Sequence, residues 1–194
     1  MIILNKENFK KTVLIIGVVH GDEEQGEFFI NEYLKNSPEK SSNRLIFIPR
    51  LNGQKTRVNE NGVDINRNFP TKNWELSERN EYFSGPAPAS EKQTRLLIEA
   101  VEEYKPDAIV AIHAPYAVVN FDGPALTLAR KISQILGYPV QKDIGYPTPG
   151  SFGTWAGVER KIPTITVETE ENVPPETLYP KFKNLFEYFL NVYA

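Results

Sequence analysis

The sequence predicts an α/β fold in a single domain, organised on a parallel sheet, and three observations lead to it. Eight uncharged residues, Thr12 to Val19, form a run that suits a strand covered on both faces. Apolar runs recur at Arg44–Arg50, Ala108–Ile112 and Pro163–Val167, with amphipathic stretches between them, an alternation that favours parallel strands joined by right-handed crossovers. At 194 residues and 40% hydrophobic, the chain can bury one substantial core and is short for two.

Taken in order, Thr12–Val19 ends at His20, and a tight turn through Gly21 and Asp22 can return Glu23 beside that imidazole. Sheets of this class bind ligands at the carboxyl ends of their strands, which is where His20 falls. Glu24 to Lys35 carries Phe28, Phe29, Ile30, Tyr33 and Leu34 on a helix-compatible face. Ser37 to Asn43 breaks it, and Arg44–Arg50 follows as a strand. Residues 52–70 form a polar loop with two arginines, five asparagines and one aspartate. A solvated surface loop has such a composition too, but Arg57 and Arg67 flank the stretch, and a guanidinium can grip a carboxylate bidentately. Residues 71–88 read as irregular, anchored by Trp74, Tyr82 and Phe83.

Ser90 with Gln93 reads as a capping box opening a helix that runs to Tyr104. The strand Ala108–Ile112 then delivers His113. Residues 114–124 read as a loop, and Ala125–Leu136 as an amphipathic helix ended by Gly137. Three glycines and two prolines in Gly145–Gly153 mark a shaped loop. A short helix is expected at Trp155–Glu159 and a strand at Pro163–Val167 with Glu168 at its end. Glu176–Val192, with Leu178, Phe182, Leu185, Phe186 and Phe189 on one face, closes the core as a last helix.

The chain has two histidines, and both end expected core strands. A catalytic zinc typically takes three protein ligands, two His and one Glu being a standard set, and leaves the fourth position to water. Glu168 beside such a water has the chemistry of a general base and acid. The plainer alternatives are two buried histidines bonded to backbone, and a solvated acidic turn at Glu168, Glu170 and Glu171. With no cysteine, disulfides, thiolate metal sites and thiol catalysis are excluded. A net charge of −3 without a basic stripe speaks against nucleic acid as a partner. The apolar runs fall short of the ~20 residues a membrane span needs, and no leader pattern precedes the first apolar stretch, so a cytoplasmic protein without membrane contact is expected.

Together, His20-Gly-Asp-Glu23, Asn61-Gly-Val-Asp-Ile-Asn-Arg-Asn-Phe-Pro70, His113 and the strand ending in Glu168 resemble the zinc carboxypeptidase family in order and spacing. The segment Gly145–Trp155 is similar to that family's bacterial murein peptide amidase branch. The resemblance implies one three-layer α/β/α domain over residues 1–194 with a mixed, mostly parallel central sheet. It implies one zinc ion on His20, Glu23 and His113, Glu168 as general base and acid, and Arg57 polarising the scissile carbonyl. Asn66 and Arg67 fall where the family binds a terminal carboxylate, and Tyr146 matches its mobile tyrosine over the bound substrate.

The implied reaction is amide hydrolysis beside a free carboxylate, foremost at the γ-D-glutamyl-meso-diaminopimelate bond of murein tripeptide in peptidoglycan recycling. A carboxypeptidase or deacylase for other small peptides or N-acyl amino acids is the alternative within this chemistry. A non-catalytic peptide-binding protein is the alternative outside it. Two departures bear on this. The N-terminal extension of many relatives is lacking, which leaves part of the sheet edge absent or to be supplied by a partner. Ala114 stands after His113 where the amidase branch suggests aspartate, which opens the question of substrate, and residues 114–124 are expected to line the specificity side of the pocket.

Overall fold

In the computed structural model, which describes residues 1–5, 7–37, 41–142 and 145–193, the apolar runs form the middle of one mixed sheet. Its strands are β1 (Ile2–Leu4), β2 (Thr12–Ile16), β3 (Arg44–Ile48), β4 (Ala108–His113), β5 (Tyr116–Asp122), β6 (Val140–Gln141) and β7 (Thr164–Glu170). They lie in the order β1-β3-β2-β4-β7-β5-β6. The central strands β3, β2, β4 and β7 are parallel, β1 and β5 join antiparallel to β3 and β7, and β6 pairs parallel to β5. The helices are α1 (Gln25–Leu34), α2 (Lys92–Tyr104), α3 (Leu126–Leu136) and α4 (Pro175–Asn191). None of the described helices is long and apolar enough to cross a membrane.

The unbroken apolar runs are explained by burial on both faces. Successive side chains of a strand point to opposite sides. On one side Val13, Ile15, Leu45, Phe47, Val110, Ile112, Ile165 and Val167 meet α1, α3 and α4, where Phe29 stacks on Phe182 with ring centroids 4.0 Å apart. On the other, Leu14, Ile16, Ile46, Ile48 and Ile109 meet Leu97 and Val101 of α2, together with Ile65, Phe69, Phe152 and Trp155 from the connecting segments. This gives the three layers expected.

Several boundaries differ from the sequence reading. The first strand stops at Ile16 rather than Val19. Gly17 still donates its N–H to Ile48 O at 2.9 Å, but Val18 O accepts from Leu51 and Asn52, so the chain has left the ladder. Gly17 and Gly26 touch there, and a Cβ on Gly26 would sit 1.9 Å from Gly17 O, so only glycine lets α1 begin this close to the strand end. Residues 116–122, read as loop, form a seven-residue strand paired with β7. The Ser90–Gln93 capping box does not form. The N-cap of α2 is Glu91 without a side-chain cap, while Ser90 Oγ donates to Glu91 and Gln93 Nε2 to Glu60. The helix at 155–159 is a six-residue π-helical turn, Thr154–Glu159. The strand of Glu168 continues to Glu170. The expected break at 37–43 falls partly on residues 38–40, outside the described residues.

Candidate metal centre and cleft

His113 is the last residue of β4, and the parallel register sets it opposite Glu168 of β7. Both project on the face occupied elsewhere by Leu14, Ile16 and Ile109, so this face changes from apolar to ionisable at the carboxyl end of the sheet. His20 reaches the same place from the turn after β2. Glu23 N–H donates to His20 O at 3.2 Å, which folds the turn back and sets both side chains together. Gly21 N–H donates to Thr56 O at 3.0 Å, and Arg50 holds Glu24 and Glu27 at 3.0 and 2.7 Å, so the turn is tied to its surroundings on both sides.

Three of the expected residues thus converge. The His20 and His113 ring centroids lie 4.9 Å apart, and the Glu23 carboxylate spans them, Oε1 at 2.9 Å from His20 Nδ1 and Oε2 at 2.7 Å from His113 Nδ1. One ligand atom from each residue lies within 4.8 Å of the others. Two imidazoles and a carboxylate are the donor set of a catalytic zinc, so these residues fit the ion that the sequence implies. The far nitrogen of His20, Nε2, meets Asp64 Oδ1 at 3.0 Å. A carboxylate behind a metal-binding imidazole fixes its tautomer and orientation, which is a second point in favour of the fit.

Asp64 is the functional residue that sequence reasoning did not single out. Fully buried, it accepts Arg57 Nε and Nη2 on Oδ2 at 3.0 and 2.8 Å, and the Asn66 N–H on Oδ1 at 2.8 Å. The available signal was an acidic residue in an asparagine-rich loop between two arginines, but composition alone does not tell a buried hub from a solvated one.

The charges perturb one another strongly. Burial alone would depress the His20 imidazolium, but Asp64 and Glu23 outweigh it and raise its pKa. Burial likewise disfavours the charged forms of Glu23 and Asp64, yet His113 and His20 hold Glu23 well below the usual carboxylate range, and His20 and Arg57 do the same for Asp64. Glu168 behaves oppositely. Burial pushes its carboxyl up to about 7, against the pull of His113. Its Oε2 is buried without a hydrogen-bond partner among the described residues.

The remaining expected residues line the same cleft, about 1010 Å³ in volume. Arg57 packs under the Tyr82 ring at 4.8 Å. Asn66 Oδ1 accepts the Phe152 N–H at 2.9 Å, which joins the 52–70 loop to the glycine-rich loop. Arg67 is buried and donates Nη1 to Asn66 O at 2.9 Å. Tyr146 is 40% exposed on the rim, with its hydroxyl pKa raised by burial and by Tyr116. Ala114, Tyr116, Asn120 and Asp122 also line the cleft, so the 114–124 segment borders it as expected, but as a strand.

Comparison with known proteins agrees with this geometry. Residues 1–126 match the zinc carboxypeptidase family. The chain is 34% identical over 171 residues to murein peptide amidase A of Vibrio campbellii, covering 80% of this chain and 68% of that protein. It is 29% identical over 174 residues to murein peptide amidase A of Escherichia coli K12, covering 82% and 71%. The crystal structure of murein-tripeptide amidase from Escherichia coli O157 superposes with a TM-score of 0.79 at 25% identity, over 93% of this chain and 82% of that one. Carboxypeptidase A of Helicoverpa armigera shares the fold, with a TM-score of 0.72 at 14% identity over 94% and 60%.

Asp64→Asn should weaken zinc binding by ~10–100-fold, the usual effect of removing the partner behind a ligating histidine. Chelator competition measures this, with thermal unfolding of the metal-free protein in parallel to separate affinity from folding. Unchanged affinity in a folded variant would show that Asp64 does not orient His20.

Proposed function

The chain belongs to the zinc carboxypeptidase family, and on that premise we propose that it hydrolyses an amide bond beside a free carboxylate. The substrate we infer is murein tripeptide, cleaved between γ-D-glutamate and meso-diaminopimelate, in cytoplasmic peptidoglycan recycling. All of residues 1–194 serve as one catalytic domain. The observation that carries the reading is the convergence of His20, Glu23 and His113 beside the buried, partly unsatisfied Glu168 in a cleft that also holds Arg57 and Arg67. The identity to murein peptide amidase A supports the choice of substrate.

His20, Glu23 and His113 would hold the zinc. Such an ion supplies a water of lowered pKa and polarisation of a bound carbonyl. Glu168 takes a proton from the attacking water and returns it to the leaving nitrogen, a role that suits a carboxyl raised to about 7. Arg57 spends Nε and Nη2 on Asp64, and Nη1 remains for the negative charge that develops on the scissile carbonyl oxygen. Asn66 and Arg67 orient the substrate through its terminal carboxylate, and Tyr146 covers it from the rim.

The test is zinc content together with mass-spectrometric assay of murein tripeptide cleavage on one preparation. Stoichiometric zinc and release of diaminopimelate are expected; zinc-loaded protein that binds the tripeptide without turnover would make it a binding protein instead. A panel of dipeptides and N-acyl amino acids distinguishes the other hydrolase activities. Glu168→Gln should abolish turnover while zinc stays bound, and retained hydrolysis removes Glu168 from the reaction. Arg57→Ala should lower kcat by ~10²–10³-fold with a smaller change in KM, measured by steady-state kinetics; an effect on KM alone contradicts an oxyanion role.

Because Glu168 acts in its ionised form and burial raises its pKa, activity should fall as pH drops through a value above the ~4.3 of an ordinary glutamate. The pH profile of kcat/KM measures that acidic limb, and one at or below the ordinary value would mean that burial does not tune this group.

A further inference from the structure

Behind the cleft wall, a second buried carboxylate stands at the start of α2 and reaches into the loop that carries Arg57. Glu91 is 3% exposed. Its Oε2 accepts Asn59 Nδ2 and Asn61 Nδ2, both at 2.7 Å, and its Oε1 accepts Ser90 Oγ at 2.7 Å. Burial disfavours the charged form of Glu91, but these donors outweigh it and hold the pKa below the ordinary value. A buried carboxylate keeps its charge only where donors meet it, and two of the three here come from residues 32 and 30 positions earlier in the chain.

What Glu91 grips is a turn. Asn59 Oδ1 accepts the N–H groups of Asn61 and Val63, each at 3.0 Å, while Asn59 N–H donates to Val63 O and Gly62 N–H to Asn59 O, each at 2.9 Å. The Asn59 oxygen is thus taken up by the turn, and its amide nitrogen is left for Glu91 and for Gln93 Oε1 at 3.2 Å. The turn reverses the chain between Arg57 and Asp64, which brings Arg57 Nε and Nη2 onto Asp64 Oδ2. The other end of the polar loop is held by the Glu91 main chain. Glu91 N–H donates to Asn68 Oδ1 at 3.1 Å, and Thr94 Oγ1 donates to the same oxygen at 2.9 Å. Side chain and backbone of one residue therefore hold two parts of the cleft wall, the first leading to Arg57 and the second to Asn66 and Arg67.

We propose that Glu91 is a positioning residue that acts through Arg57: its carboxylate locks the turn at 59–63 and so sets where the guanidinium stands against the scissile carbonyl. This rests on the proposed hydrolysis, and it separates the two ends of the loop by kinetic constant. Displacing a group that meets charge only in the transition state lowers turnover, whereas losing uniform binding raises KM. A change confined to the Glu91 side chain loosens the Arg57 end and leaves the backbone bond to Asn68 in place. The turn needs acceptors of this shape rather than a charge. A glutamine oxygen can accept from Asn59 and Asn61 while its nitrogen donates to Ser90 Oγ.

The experiment measures kcat and KM on murein tripeptide for zinc-loaded wild type, Glu91→Ala, Glu91→Gln and Asn61→Ala, and repeats Glu91→Ala and Asn61→Ala in an Arg57→Ala background. Glu91→Ala should lower kcat by ~10–100-fold with KM changed by less than about 3-fold, and Glu91→Gln should recover most of that loss. In the Arg57→Ala background Glu91→Ala should lower kcat no further, since residues that act through one group are not additive. Asn61 is exposed, so Asn61→Ala tests the same bridge in a folded protein even where Glu91→Ala does not fold. It should lower kcat by roughly 2–10-fold, the worth of one hydrogen bond, and only while Arg57 is present. A rise in KM without loss of kcat, additive losses in the double variants, no recovery with glutamine, or unchanged kcat in Asn61→Ala overturns the inference. Wild-type enzyme that leaves the tripeptide intact sinks the proposed function and this inference with it, whereas wild-type turnover with any of those four outcomes sinks the inference alone.

Discussion

A buried carboxylate fixes the geometry of the whole carboxyl-end surface. Removing an ionised group from water costs several kcal/mol, and Asp64 is fully inaccessible. It is stable there because four contacts converge on two oxygens: His20, two nitrogens of Arg57 and the Asn66 N–H. The satisfaction is collective, since releasing any one partner leaves a charge short of its bonds in a medium where that is most expensive. The loop 52–70 therefore closes on the turn after β2 as one unit. By occupying His20 Nε2, Asp64 leaves Nδ1 as the nitrogen facing Glu23, and by occupying Nε and Nη2 of Arg57 it fixes the plane of that guanidinium.

The sheet supplies the other half of the constraint. Parallel register sets His113 beside Glu168, and alternation directs both to the α2 side. Along that side, chemistry changes with position across the sheet. Beside β3, β2 and the first part of β4 the residues are aliphatic and meet α2. On β7 and β5 they become Thr164, Thr166, Glu168, Asn120 and Asp122. The π-helical turn at Thr154–Glu159 packs beside Asp122, while Glu168, Thr166 and Asn120 face the cleft, so polar residues stand where α2 packs farther along the sheet. The opposite side of the same strands stays apolar through Ile165, Val167 and Val119, so polarity on one face costs the core nothing on the other.

What the sequence disclosed, and what it hid, follows from this division. The four core strands and four helices were legible because burial on both faces, or on one helical stripe, leaves a periodic apolar record. His20, Glu23 and His113 were legible because strand ends and close spacing constrain where such residues can meet. The strand at 116–122 was not legible, because its polar members, Asn120 and Asp122, face a cleft. A strand that lines a cleft loses the pattern by which strands are recognised, and the misread segment borders the cleft through Tyr116, Asn120 and Asp122. The capping box failed for a different reason. Ser90 and Gln93 carry the local signature, but longer-range partners, Asn68, Asn59 and Glu60, compete for the same groups and win. Asp64 was hidden for a similar reason: its bond to the Asn66 N–H is local, but His20, 44 residues away, and Arg57, seven away, are not partners that a local pattern encodes.

The candidate residues also divide by how firmly they are held. His113 and Glu168 sit on strands whose positions are set by ladder hydrogen bonds. His20, Glu23, Arg57, Asn66 and Arg67 sit on loops, but those loops are sewn together by Gly21 N–H to Thr56 O, Asn52 Nδ2 to Arg57 O, Phe69 N–H to Gly150 O and Phe152 N–H to Asn66 Oδ1. The glycine-rich loop is anchored at its far end, where Gly150 N–H also meets Thr71 Oγ1 at 3.2 Å. Tyr146 lies four residues before that anchor and is 40% exposed. The candidate groups are thus held in place by strand ladders and loop hydrogen bonds, the preorganisation that the proposed reaction requires. At the rim Tyr146 is exposed, which suits the covering role proposed for it.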